Sequence, residues 1–375
     1  TFTDKGEKVT RWRHLEMEDV FEVSYDQNDQ TSYTYAMYYG MMTLMSSKLE
    51  TQVTSALASL TSEKVYKIAV LTHNGGEAPD ALQTLMKQNN YEFTEVANIN
   101  EEPIPEDADA LIIARPMYDY TAAELKLVDD FLENDGQLGK VVLYVADAAQ
   151  PDLPNLNEFL SEWGFSVTPG TMVYETDSNN MAYVGTYLFK LTEEKSNEFT
   201  GELADKDYVF YSTGDVAIKL KDPSGTKENE SLLSFADTAA ALPTDAESLD
   251  DKVADGPFVA FGLCRVTPAT IDDLTNVSRS YVLVCSSSSF FPIGDYSAKV
   301  GNLYAVMNNF DTVLNKTSTG IRFDARTFTT DRLEEVPSTA TVGVWTGVLA
   351  AIIVLVLVLT AVIIVTRRKA RRNRK

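Results

Sequence analysis

The chain has 375 residues, 44% of them hydrophobic, and a formal net charge of −23. That apolar content fills the cores of one or two ordinary domains and excludes disorder as the general state. An excess of 55 acids over 32 cations disfavours nucleic acid or anionic lipid as the partner of the acidic part.

Residues 1–30 hold strand-like runs, "KVTRWRHLEM" and "VFEVSYD", and read as the end of a region that begins upstream. From about Thr34 to Ser62 proline is absent. Leu44, Leu49, Val53, Leu57 and Leu60 recur there at intervals of three to five, which predicts a helix with those residues on its buried face. Residues 1–63 are thus an N-terminal piece ending in a connecting helix.

A regular alternation follows. "KVYKIAVLT" (64–72) predicts a strand, "APDALQTLMKQNNY" (78–91) a helix, and "EFTEVAN" a second strand. "ADALIIARP" (108–116) predicts a third strand, and "TAAELKLVDDFLEND" a helix opened by a capping box of Thr121 and Glu124. "KVVLYVAD" (140–147) is a fourth, wholly apolar strand, followed by the helix "LPNLNEFLSEWG" with Gly164 as its stop. Apolar strands alternating with amphipathic helices predict a doubly wound α/β fold, its mainly parallel sheet covered on both faces.

Residues 175–255 show weaker β-like pieces and polar loops such as "KDPSGTKENES", and read as an irregular excursion. "PFVAFGLCRV" (257–266), "SYVLVCSS" (280–287) and the helix "GNLYAVMNNFDTVLN" (301–315) then complete the sheet, so that 64–316 form one α/β region. Residues 317–341 read as a stalk. Residues 342–365, "VGVWTGVLAAIIVLVLVLTAVIIV", carry no charge and exceed the roughly 20 residues a helix needs to cross a bilayer. Seven Lys and Arg follow in 366–375, which predicts a cytoplasmic tail and an exterior location for everything before Val342. That exterior part has 25 cations against 55 acids, about −30. Its export predicts a signal peptide or membrane segment upstream of Thr1.

Few residues can carry chemistry. The only histidines are His14 and His73, and no Cys, His and acid set has metal-ligand spacing. Cys264 and Cys285 lie in apolar strands, where two buried thiols or one disulfide both fit. The loop "THNGGEAPD" supplies Gly75 and Gly76 but neither a dinucleotide nor a P-loop pattern, and Glu77 would repel a phosphate. His73, Asn74, Gly75, Gly76 and Glu77 are therefore a candidate surface for a ligand or partner, or simply a turn requiring positive φ. Arg115 ends the third strand, where it can pair with an acid or hold a ligand carboxylate. After the fourth strand, where related hydrolases expose Ser or Cys on a sharp elbow, the sequence has Ala146, Asp147, Ala148, Ala149 and Gln150. Asp147 is the one acid there that a nucleophile role could be drawn for. In "VLVCSSSSFFPIG" (282–294), Cys285 and the serines are more readily turn and capping residues than a reactive cluster.

Three features together resemble a known family. They are "QVTSALASLTSEKVYKIAVLTHNGGE" (52–77), "IPEDADALIIARPMYDYTAAELKLVDDFLENDGQLGKVVLYVAD" (104–147), and the apolar C-terminal segment with its basic residues. They are similar to the extracellular auxiliary subunits of ABC transporters typified by the gliding-motility protein GldG. The resemblance implies a fold related to class I glutamine amidotransferases without its nucleophile, a permease and an ATPase on other chains, and an N-terminal membrane helix. No cofactor is implied. The family's loop is commonly Gly-His-Gly-Glu where this chain has "HNGGE", and residues 175–255 lie outside the match. The leading expectation is a non-catalytic, membrane-anchored accessory subunit whose ectodomain binds the permease or a cell-envelope component. The alternatives are a divergent hydrolase or amidotransferase-like enzyme, and a single-pass receptor or adhesin.

Overall fold

The computed structural model describes residues 49–61, 64–182, 188–193, 209–268, 277–291 and 300–316, with short pieces at 2–4, 7–9, 15, 20–24, 43–47 and 326–327. The stalk (317–341, apart from 326–327), the apolar segment 342–365 and the basic tail 366–375 lie outside the described residues, as does part of the excursion. Among the described residues no helix is long and apolar enough to cross a membrane. The chain divides into two compact units, Thr1–Glu22 with Ser47–Arg326, and Val23–Ser46 with Thr327–Lys375.

The first unit is built on α1 (Leu49–Thr61), β1 (Tyr66–Leu71), α2 (Asp80–Gln88), β2 (Tyr91–Val96), β3 (Ala110–Ala114), α3 (Ala122–Glu133), β4 (Val141–Val145) and α4 (Pro154–Glu162). It continues through β5 (Phe165–Thr168), β6 (Thr171–Glu175), β7 (Thr192–Glu193), β8 (Ala217–Leu220), β9 (Lys227–Ser234), β10 (Ala239–Pro243), β11 (Val259–Val266), β12 (Ser280–Cys285) and α5 (Asn302–Val313). The central sheet has the order β7-β9-β11-β12-β4-β3-β1-β2. Strands β12, β4, β3, β1 and β2 run parallel, while β11, β9 and β7 add an antiparallel wing. This is the mixed α/β architecture, with a large and mainly parallel sheet, that the alternation predicts.

Burial follows the period of two that a strand imposes. Ile68, Val70, Ile112, Leu143 and Leu283 point to one face, where Leu82 and Met86 of α2 and Val306 and Phe310 of α5 cover them. Ala69, Leu71, Leu111, Val142 and Val282 point to the other, under Val128 of α3 and Leu156 and Leu160 of α4. Both faces being dry is why these strands read as unbroken apolar runs. Helix α3 opens with the capping box as expected: Glu124 N–H donates to Thr121 Oγ1 at 3.3 Å, and Thr121 N–H donates to Glu124 Oε2 at 2.7 Å. On the first face Tyr91 of β2 donates to Asp311 of α5 at 2.8 Å, and Lys316 lies 3.2 Å from the same carboxylate.

Two expectations need correction. The run drawn as one helix from Thr34 is interrupted: Leu44 sits in a strand, Thr43–Ser47, in a three-stranded sheet, and a helix runs over Leu49–Thr61, while residues 34–42 lie outside the described residues. Backbone pairing there overrides the apolar spacing. Among the described side chains of α1, Gln52 and Ala56 are buried whereas Leu49, Val53 and Leu57 are exposed, so those three do not form the packed stripe that their spacing predicts. Helix α1 neighbours α2 in this unit. The second correction concerns "KENES", expected as loop. It opens β9, an eight-residue strand paired with β11 along most of its length. Its polar alternation leaves Lys227, Glu228, Asn229 and Glu230 unburied, while Leu232 and Leu233 enter the core.

Candidate functional site

The strand order β2-β1-β3-β4-β12 reverses direction between β1 and β3, and the crevice at such a switch point, beyond the C-terminal ends of the strands, is where open α/β sheets take ligands. Two loops flank it: His73–Glu77 after β1, the expected residues, and Arg115–Asp119 after β3, of which the sequence singles out only Arg115.

These loops close on each other. The amides of Met117 and Tyr118 donate to Asn74 O at 2.7 and 3.2 Å, and Asn74 Nδ2 donates to Asp119 O at 3.1 Å. Glu77 N–H donates to Ala114 O at 3.0 Å, while the Glu77 side chain stays exposed. The left-handed turn lies at Asn74 (φ 61°) and Gly75 (φ 75°). Gly76 has an ordinary φ of −70° and is needed for a different reason: a Cβ there would stand 2.6 Å from Leu71 O and 3.0 Å from Ala114 O. The glycines thus serve a turn and a close backbone approach.

Among the described residues, the hydrogen-bond partners of His73 are a carboxylate and a backbone carbonyl. Its Nε2 lies 3.0 Å from Glu124 Oε1 and its Nδ1 3.3 Å from Ala97 O, both acceptors. A neutral ring can donate to only one of them, an imidazolium to both. Glu124 also accepts from Asn100 Nδ2 at 2.7 Å and from the amide and hydroxyl of Thr121 at 2.7 and 3.0 Å. Burial pushes the Glu124 carboxyl up, but the hydrogen bonds from Thr121, Asn100 and His73 outweigh it and leave the group below its ordinary range. His73 is therefore a strut between the first loop and the start of α3.

Arg115 and Asp147 do meet. Arg115 Nε lies 3.0 Å from Asp147 Oδ2, and the same oxygen accepts from Ser288 Oγ at 2.6 Å. Asp147 Oδ1 caps Ala149 N–H at 2.9 Å, and Gln150 fills the remaining space by accepting from Asp147 N–H at 2.6 Å and donating to Pro116 O at 3.0 Å. A nucleophile elbow needs a strained residue with the helix starting directly behind it. None of residues 146–150 has positive φ, and residues 146–153 separate β4 from α4. Directly after a strand of this edge, the left-handed residue is Arg115 (φ 52°), behind β3 and not β4. The cavity beside Tyr144, Asp147 and Gln150 has about 10 Å³, room for no more than about one water.

The serine run is consumed by structure. Ser287 donates to Thr213 O at 2.9 Å and caps Ser289 N–H at 3.0 Å, and Ser286 donates to Asp215 Oδ1. Asp215 also accepts from Ser212 Oγ at 2.8 Å, and its Oδ2 has no partner among the described residues. Burial pushes this carboxyl up to about 6, against the two serine hydrogen bonds. Nothing in "YSTGDVAIKL" marks Asp215 in advance, because a single acid before a strand ordinarily sits in solvent. The cysteines are free and buried. Cys264 packs on the α3/α4 face and Cys285 on the α2/α5 face, so the sheet itself lies between them. Among the described residues no group of three or more His, Cys, Asp and Glu could hold a metal ion.

The segment that builds this edge is also the one with recognisable relatives. Residues 66–184 match the family described as an ABC-type uncharacterized transport system. That stretch of the chain is similar to auxiliary components of such systems. No curated protein matches the sequence. Among solved structures, a chain named mmIFT52 N-terminal domain has a TM-score of 0.45 at 14% identity, covering 66% of this chain and 97% of that one. A GMP synthase-like protein of Thermoplasma acidophilum has a TM-score of 0.29 at 9% identity, covering 68% and 96%. A glutamine amidotransferase of Thermotoga maritima has a TM-score of 0.26 at 11% identity, covering 68% and 86%.

Proposed function

We propose that the chain is a non-catalytic accessory subunit of an ABC transport system, of the kind typified by GldG. The observation that carries this reading is the match of residues 66–184 to a transport-system family, over the segment that supplies the Arg115–Asp147 pair, which Ser288 from beyond that segment joins, where a nucleophile would stand. In this reading 342–365 span the membrane, 366–375 face the cytoplasm, and the acidic α/β unit lies outside, where it binds the permease or a cell-envelope component. The permease and the ATPase are separate chains.

The test is affinity purification of the full chain at native expression in mild detergent. A permease and an ATPase in stoichiometric amounts are the expected companions, and recovery of the chain alone in repeated preparations overturns the reading. Truncation before Val342 is expected to release the protein from the membrane fraction.

A further inference from the structure

A sizeable cavity lies elsewhere, on the α3/α4 face. A groove of about 990 Å³ runs along α3 from Ala122 to Glu133 and is bounded on its other side by α4. Twelve helical residues at 1.5 Å each make it roughly 18 Å long. Its floor is apolar, with Leu125, Phe159 and Trp163 all buried. Its rims are acidic. Asp129 and Glu133 on α3, and Glu158 and Glu162 on α4, are pairs spaced by four and so lie along one side of each helix.

Two further observations describe the polar groups around this floor. The Trp163 indole is 3% exposed, and its N–H is turned to the Asp129 carboxylate, whose charge it favours. Lys227 Nζ sits over the Trp163 ring, 4.6 Å from its centre, and with Lys126 it makes two cations on a groove lined by five carboxylates, those four and Asp130. Among the described residues none of those four acids closes an ion pair, whereas the neighbouring Asp130 is held by Lys126 at 2.6 Å.

We propose that this groove docks a cationic amphipathic helix of a partner protein, its apolar side on Leu125, Phe159 and Trp163 and its Lys or Arg side chains against Asp129, Glu133, Glu158 and Glu162. The spacing of the acids matches the i, i+4 spacing of cations on such a helix, and the length of the groove accommodates about three of its turns. A second copy of the chain, itself carrying a net charge of −23, would bring like charge to like. The inference rests on the groove alone and stands whether or not the partner belongs to a transporter.

The experiment titrates the full chain in nonionic detergent with a 14-residue Leu/Lys amphipathic peptide, detergent alone serving as blank, and follows tryptophan emission. The expected result is saturable binding that weakens with salt, is absent for the Leu/Glu peptide of the same pattern, and loses its emission change in Trp163→Phe. Replacing the four acids by Asn or Gln should weaken binding by roughly tenfold or more. The exposed pair Glu158→Gln with Glu162→Gln, which leaves the core untouched, should weaken it by roughly threefold. Unchanged affinity in that double variant overturns the proposal, as does equal binding of the Leu/Glu peptide. Self-association of the chain that the double variant abolishes overturns it too, because a second copy would then be the occupant.

Discussion

His73 and Glu124, 51 positions apart, meet at 3.0 Å and tie the loop after β1 to the first turn of α3. Glu124 is the node: four donors from Thr121, Asn100 and His73 converge on one buried carboxylate. Glu124→Gln should cost about 2–3 kcal/mol at pH 7, and Thr121→Ala about 1 kcal/mol, measured by denaturant unfolding. The folded-state titration of Glu124 is depressed, so its contribution is full above the unfolded value near 4.3 and is lost as pH falls through the folded value. The gap between wild type and Glu124→Gln should therefore close below about pH 4. A gap independent of pH would show that the carboxylate's charge is not what the network uses.

Half of that node was legible beforehand. Thr121 and Glu124 at capping-box spacing need only local sequence, as do the four apolar parallel strands β1, β3, β4 and β12, whose two dry faces leave an apolar signature. The partner of Glu124 was not legible, since His73 reaches it through the β1–β3 neighbour relationship, which no local pattern encodes. Asp215 and the paired wing strand β9 escaped for the same reason: burial of a lone acid and pairing of "KENES" are decided by tertiary neighbours. Arg115 and Asp147 were each suspected separately, and the sheet order makes them a pair.

The cysteines give a chemical test of the sheet. Burial pushes the Cys264 thiol up to about 12 and Cys285 higher still, and the two point to opposite faces. A thiolate is the reactive form, so neither should react with a maleimide in the native protein, and both should in denaturant. Mass spectrometry without reductant should find two free thiols; a mass lower by two hydrogens would contradict the opposed faces.

Arg115 allows strain and charge to be separated. Its ion pair is half exposed and worth about 1 kcal/mol or less, while its left-handed φ of 52° costs a residue with Cβ about 1 kcal/mol. Arg115→Ala and Arg115→Gly both delete the pair, but only glycine relieves the backbone. The Gly variant should therefore unfold at a higher denaturant concentration than the Ala variant. The reverse order would mean that the conformation at this edge is not left-handed.

Asp215 makes the opposite pH prediction from Glu124. It is fully buried, its Oδ2 lacks a partner among the described residues, and burial lifts its folded titration to about 6. A raised folded value means that the native state takes up a proton between about pH 6 and pH 4 that the unfolded chain does not, so the group's contribution to stability grows as pH falls through that window. With an unfolded value near 3.9, the gain from pH 7 to pH 4.5 is about 2 kcal/mol. Asp215→Ala deletes the titration along with the Ser212 and Ser286 hydrogen bonds, which act at both pH values. The variant should consequently lag wild type by about 2 kcal/mol more at pH 4.5 than at pH 7, read from paired denaturation curves. An equal deficit at both would place the Asp215 carboxyl in contact with water or a cation, and its burial behind Ser286 would have to be abandoned.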